Sequence, residues 1–293
     1  RAIDEKCARP LGMAVVEAAH GIVEIANAAM VNALRLVSVQ RGYDPREFVL
    51  VAFGGAGPVH ANRLAAETEM PTLIVPMSPG TFSALGLLVT DLKHDFSSTW
   101  IQRLDELEVT ALETAFAGLA QQGLAALQRE GVAPRDCEFA RHVDIRFVGQ
   151  SHELSIAAPN HELSPPAVED LRDRFLQEHD RAYGFSALEE PVEVVNLRLT
   201  AIGKITKPTS RELDAVKGKP QTVRTTVRSV YFAETDGYAD CPVYDRYRLS
   251  AGQRVAGPAI IAELDSTTVI HPGYEARVDR YGNLVVTTGE PTD

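Results

Sequence analysis

Three glycines crowd the segment Phe53-Gly54-Gly55-Ala56-Gly57-Pro58, directly after the apolar run Phe48–Phe53. A glycine turn between a strand and a helix lets backbone come close to a ligand. The start of the helix adds free N–H groups and a partial positive charge. Both suit a nucleotide, although a tight strand-to-helix turn with nothing bound needs glycine as well. Three phosphate or nucleophile motifs fail here. No Lys follows the glycines, as a P-loop requires. Counting G-x-G-x-x-G from Gly55 puts His60 at the third glycine, and no acidic residue ends the next strand at Pro76-Met77-Ser78. The spacing of Gly80-Thr81-Phe82-Ser83-Ala84-Leu85-Gly86 is not G-x-S-x-G, and Ser83 has no base at a recognisable distance.

The elements that must hold this turn are legible as periodicity. Val15, Ile22, Ala26, Ala29, Ala33 and Val37 recur at helical steps, which predicts a helix over 11–40 stopped by Gly42 and Asp44-Pro45. Asp44 and Arg46 shape the turn into the strand. Phe48–Phe53 has no polar alternation and reads as a strand covered on both faces. Pro58 suits the first residue of a helix running to about Glu69. Leu73–Pro76 is a second short strand, and Ser78-Pro79-Gly80 opens a helix over 81–90. The order strand, turn, helix, strand, helix is α/β.

Beyond Asp91 the pattern changes. Lys93–Arg103 is extended. A helix spans 105–130, with Asp105 and Glu108 resembling a capping box. Phe139–Ala157 alternates as strand. Ser164 and Pro165 open a helix whose buried face is Val168, Leu171, Phe175, His179 and Tyr183, and Gly184 ends it. From Val192 onward the expectation is mostly antiparallel strands, with a polar linker near 213–221. The division expected is therefore 1–100 and 101–293.

Composition narrows the function. With 29 Lys and Arg against 40 Asp and Glu, the net charge of −11 argues against non-specific binding to nucleic acid or anionic lipid. Glu17, His20 and Glu24 interrupt the first apolar helix, so it is not read as a membrane span. Cys7, Cys137 and Cys241 fit no zinc or disulfide spacing and suit a reducing, cytoplasmic setting. His142 and His152 do not make an H-E-x-x-H zinc helix, and no metal site is expected. Asp265 is read as turn-forming rather than as a buried carboxylate. The chain begins with Arg1 and enters a helical pattern almost at once, so a start within a longer protein is expected.

A Gly-Gly turn after a buried strand, followed by a helix of small residues at 78–88, resembles the adenosine side of the actin/Hsp70/sugar-kinase fold. The resemblance becomes specific in Arg41-Gly42-x-Asp44-Pro45-Arg46-x-Phe48, in Ala52–Pro58 with His60-Ala61, and in Val75-Pro76-x-x-Pro79-Gly80-x-x-Ser83-Ala84-Leu85-Gly86. Together with Arg146-Phe147-x-Gly149-Gln150, Tyr183-Gly184-Phe185, Gly257–Ile261 and Asp265-Ser266-Thr267-Thr268, these blocks resemble the hydantoinase A/5-oxoprolinase family.

That resemblance implies the C-terminal part of an actin-like ATPase core over 1–100, then a mixed α+β domain with an antiparallel strand-rich end. It implies ATP and Mg²⁺ as cofactors of the full-length protein, a small cyclic amide as substrate and a hydantoinase B-type subunit as partner. The family's D-x-G-G-T-type phosphate unit is not in this chain. Gly54, Gly55, Ala56, Gly57 and Pro58 carry over as the nucleotide-facing turn. His60 faces either ligand or the strands, and Ser83 and Gly86 pack the hinge helix. Arg146, Gln150 and Glu153 are the catalytic candidates, since Arg and Gln can hydrogen-bond a lactam or imide; a satisfied loop network is the favoured alternative.

Overall fold

The computed structural model describes every residue except Glu162, Ser186, Leu188, Ser210, 214–223, Asp236 and 289–293. Of the expected linker near 213–221, only Leu213 lies among the described residues. The order is α1 (Arg9–Leu11), α2 (Val15–Val37), β1 (Val49–Val51), α3 (Gly57–Glu67), β2 (Thr72–Val75), α4 (Phe82–Val89), β3 (Leu92–Arg103), α5 (Val109–Arg129), β4 (Cys137–Phe147), β5 (Leu154–Ala158), α6 (Pro165–Tyr183) and β6 (Val192–Gly203). Then come β7 (Arg224–Phe232), β8 (Gly237–Asp245), β9 (Arg254–Ala256), β10 (Ala259–Ala262), β11 (Thr267–Ile270), β12 (Tyr274–Val278) and β13 (Leu284–Thr288).

The chain forms two compact units, Arg1–Leu87 with Thr209–Asp293, and Leu88–Pro208. In the first unit a five-stranded sheet runs β1-β2-β13-β12-β9. β1 and β2 are parallel, and β13 lies antiparallel to β2 with Leu284 opposite Val75 and Val286 opposite Leu73. The C-terminal strands thus complete the sheet begun by the N-terminal α/β segment. Leu73, Val75, Ile261, Ile270, Ala276, Leu284 and Val286 share one core. A second sheet runs β11-β10-β8-β7; the tail strands pair mostly antiparallel, as expected, while β10 and β8 are parallel.

The residue pattern explains most of these elements. α2 ends at Val37, a single 3₁₀ turn follows, and Gly42 closes it. The Asp44 carboxylate accepts the Arg46 amide at 3.0 Å and pairs with its guanidinium at 2.7 Å, fixing the turn into β1. β1 is shorter than the apolar run and is not covered on both faces. Phe48, Val49, Val51 and Phe53 are each 44–48% exposed because β1 is the edge strand and pairs with β2 alone. Among the described residues, one helix, Val15–Arg41, is long and apolar enough to cross a membrane. Its polar residues Glu24 and Asn27 bond Arg63 and His60 of α3.

In the second unit an antiparallel sheet, β3-β6-β4-β5, packs against α5 and α6. Leu112, Phe116 and Leu127 of α5 and Leu171 and Phe175 of α6 meet Val143, Ile145, Leu197 and Leu199 of the strands. The single stretch expected over 139–157 is a pair of strands joined through Gly149. Two caps differ from expectation. Asp105 pairs with Arg103 at 2.6 Å instead of capping, so α5 starts only at Val109. At α6 the Ser164 hydroxyl makes no cap; its carbonyl accepts the amides of Ala167 and Val168. Tyr183, expected on the buried face of α6, is 45% exposed.

Candidate functional site

The glycine turn follows directly from β1. The Ala52 amide still bonds the Ile74 carbonyl at 2.9 Å, and the chain then leaves the sheet. Gly54 adopts φ +85°, a conformation that costs an L-residue with a Cβ energy, and its N–H donates to the Pro79 carbonyl at 2.7 Å. α3 begins at Gly57, one residue earlier than expected, with Pro58 second and buried. Among the described residues, the amides of Gly55, Ala56 and Gly57 meet no acceptor. Gly55 and Ala56 are exposed. The turn therefore presents free N–H donors to solvent at the positive end of a helix.

Two other segments hold it. The Ser266 hydroxyl, itself buried, donates to the Gly55 carbonyl at 3.1 Å and approaches that of Gly54 at 3.4 Å. Gly80 has no room for a side chain, because a Cβ there would lie 2.5 Å from Asp265 Oδ2 and 2.7 Å from Asp265 Cγ. Ser78, just before, sits in the left-handed region at φ +52°. Turn, Ser-Pro-Gly segment and Asp265-Ser266 loop thus lock together, and Asp265 Oδ1 is buried without a partner among the described residues. Asp265, read from sequence as turn-forming, also brings a carboxylate to this cluster.

Behind the cluster lies a buried ion pair. Arg246 is 1% exposed, and its Nε stands 3.8 Å from Glu263. Its Nη2 donates to the carbonyls of Val75 and Gly282, tying β2 to the turn before β13. Burial pushes the Arg246 guanidinium down to about 10. Burial likewise pushes the Glu263 carboxyl up, opposed by Arg246 and the Ser78 amide.

Beside the turn lies a hollow of about 350 Å³, lined by carbon from Met30 and Leu34 of α2, Leu50 and Phe53 of β1 and its extension, and Gly57 and Leu64 of α3. The Phe53 ring meets Phe82 at 5.6 Å between centroids. Apolar walls beside free amides match the two halves of a nucleoside phosphate, so the residues present fit a nucleotide. Among the described residues, no group of three or more His, Cys, Asp or Glu side chains comes together to hold a metal ion.

The remaining predicted residues lie elsewhere. His60 does not face the turn; its Nδ1 is 2.8 Å from Asn27 Oδ1 on α2. The structure does not join Arg146, Gln150 and Glu153 by hydrogen bonds. Arg146 pairs with Glu193 at 2.7 Å. The Gln150 amide meets His179 Nε2 at 3.1 Å, while His179 Nδ1 donates to the Phe185 carbonyl. Glu153 is exposed. Ser266, Ser78, Arg246 and Glu263 were missed as supports of the turn. Ser266 stands 211 residues from Gly55, and only the quoted Asp265–Thr268 block marked it at all.

Comparison with known proteins fits this arrangement. The hydantoinase/oxoprolinase family matches residues 1–96, and the hydantoinase/oxoprolinase C-terminal domain matches 102–286. An uncharacterised Methanocaldococcus jannaschii protein is 41% identical over 95% of this chain and 39% of its own. Caprolactamase subunit alpha of Pseudomonas jessenii is 32% identical over 98% of this chain and 42% of its own. The crystal structure of that organism's ATP-dependent caprolactamase superposes with a TM-score of 0.76 over 99% of this chain and 42% of the solved one. A nucleotide-free acetone carboxylase structure, 24% identical, shares the fold with a TM-score of 0.83 over 98% of this chain and 42% of its own. The chain thus spans about two fifths of the length of the relatives it matches. With both models matched in order along the sequence, the chain belongs to the hydantoinase/oxoprolinase family.

Proposed function

We propose that this chain is the C-terminal part of an ATP-dependent cyclic-amide hydrolase, and that Gly54–Pro58 forms the adenosine side of its ATP cleft within an actin-like core. The observation that carries the reading is the turn itself: three amides without an acceptor among the described residues, two of them on exposed residues, beside a carbon-lined hollow. When bound, ATP would supply a phosphoryl group to the amide oxygen; one water would add to the ring carbon as the C–N bond breaks, a second would release phosphate from the resulting carboxyl, and ADP, phosphate and the ring-opened amino acid would result, with Mg²⁺ offsetting phosphate charge. The residues of this chain bind and orient. The amides of Gly55, Ala56 and Gly57 hydrogen-bond the nucleotide, and Ser266 and Asp265 keep the turn in place. The catalytic candidates Arg146, Gln150 and Glu153 have no assigned step.

ATP dependence is stated for the caprolactamase relative, and its designation as a subunit supports a B-type partner here. Two other readings, a module that docks this partner without catalysis and an acetone-carboxylase-type parent, become outcomes of the test. The full-length protein with its partner subunit is assayed for ADP release in the presence of caprolactam, hydantoin, 5-oxoproline, acetone or a sugar panel. Turnover stimulated by a cyclic amide is expected, and none by the 293-residue chain alone. Stimulation by acetone or a sugar and by no cyclic amide overturns the assignment.

A further inference from the structure

A separate cavity of about 510 Å³ lies in the first unit between α2 and α3 on one side and β7, β8 and the end of β11 on the other. Its size falls within the range of small-molecule sites. None of the glycine-turn residues lines it. Three imidazoles do: His20, whose ring lies 5.5 Å from that of Tyr231, and His60 and His271, each oriented by an acceptor behind it. His271 Nδ1 lies 2.8 Å from Glu234 Oε1, and a carboxylate only accepts, so the proton sits on Nδ1. His60 Nδ1 lies 2.8 Å from Asn27 Oδ1. Asn27 Nδ2 is turned to Glu24 at 3.4 Å, which fixes its oxygen toward His60. The Nε2 atoms of His60 and His271 have no partner among the described residues, and each accepts a hydrogen bond when its imidazole is neutral.

The charge is one-sided. Among the described residues, Arg63 is the only Arg or Lys lining the cavity, and it is shared between Glu24 at 3.2 Å and Glu67 at 2.8 Å. Glu234 bonds His271 and feels the Arg63 charge only through space. Burial pushes its carboxyl up, but the His271 hydrogen bond and its own backbone outweigh burial and hold it below the usual carboxylate range. It therefore stays ionised at neutral pH. Aromatic faces complete the wall. Tyr231 and Tyr238 meet edge to face at 5.8 Å, and Val15, Val23 and Val59 add apolar surface.

Lone-pair acceptors, surplus carboxylate and aromatic faces are what a protonated amine on an apolar body requires; an anion would meet the carboxylates of Glu24 and Glu234. We propose that this cavity binds a small organic ammonium ion. Its N–H groups donate to His60 Nε2 and His271 Nε2, its charge faces Glu234, and its apolar body lies against Tyr231, Tyr238 and the valines. The site is independent of the nucleotide reading and stands or falls without it.

The test is calorimetric titration of the chain with benzylammonium, with benzyl alcohol and benzoate as matched probes of the same size. Saturable one-to-one binding of benzylammonium is expected, at least about tenfold tighter than benzyl alcohol, with benzoate not binding. Glu234→Gln, and separately His271→Gln, each weaken it by about tenfold while the circular dichroism melt is retained. Equal affinity for benzyl alcohol, no saturation by ~10 mM, or undiminished affinity in a folded Glu234→Gln variant each overturns the proposal.

Discussion

Arg246→Met lowers stability by about 3–5 kcal/mol, because it leaves Glu263 as a buried charge without a counterion. The side chains of the pair are 1% and 0% exposed, so water cannot replace the guanidinium. The variant also frees the carbonyls of Val75 and Gly282. The loss depends on pH. Burial already raises the Glu263 carboxyl above its ordinary value, so the folded state holds this proton more tightly than the unfolded chain. Such a group contributes stability that is fully present below its unfolded pKa and lost as pH rises through its folded one. The deficit of the variant should therefore shrink as pH falls from 8 towards ~5. Adding Glu263→Gln should recover part of the loss and flatten the pH dependence, since removing both charges also removes the desolvation cost. Urea midpoints at several pH values measure both effects. A deficit under ~1 kcal/mol would mean that the pair is not buried as described.

Gly55→Glu is the matching prediction for the site. A Cβ at Gly55 meets only the Asp265 carbonyl, at 3.3 Å, and the position is exposed, so the variant folds with a small local shift. Its carboxylate, however, stands where the free amides would receive a phosphate. Repulsion and lost access should weaken ADP binding by the full-length protein by about a hundredfold or more, with assembly and melting temperature retained. Gly55→Ala adds the methyl without the charge and should lose about tenfold or less. Equal losses in the two variants would assign the effect to the backbone rather than to charge.

What sequence conveys about this protein depends on how local each feature is. The glycine turn, its neighbouring helices and strands, and the stop of α2 at Gly42 are written in adjacent residues. Strand partners are not. The apolar run at Phe48–Phe53 states that the segment avoids water, but not that β1 pairs on one side only. The apolar, β-branched run Leu284–Thr287 marks a strand, while its place against β2 depends on a pairing across the whole chain. Nothing in the residues beside Arg246 marks it as a partner of Glu263; only the fold puts the two opposite each other. Capping differs for a local reason: Asp105 bonds Arg103, two residues away, in place of an orphan amide. The catalytic candidates were chosen by residue type, and in the folded chain Arg146 and Gln150 have partners of their own.

The most direct test of the central claim is photolabelling of the full-length protein with 8-azido-ATP, whose reactive group sits on the adenine ring. Trypsin cuts after Arg46 and Arg63, so the turn is released as the peptide 47–63. The account predicts label on that peptide, suppressed by excess ATP and absent in Gly55→Glu. Saturable, ATP-protected label confined to other peptides would contradict it.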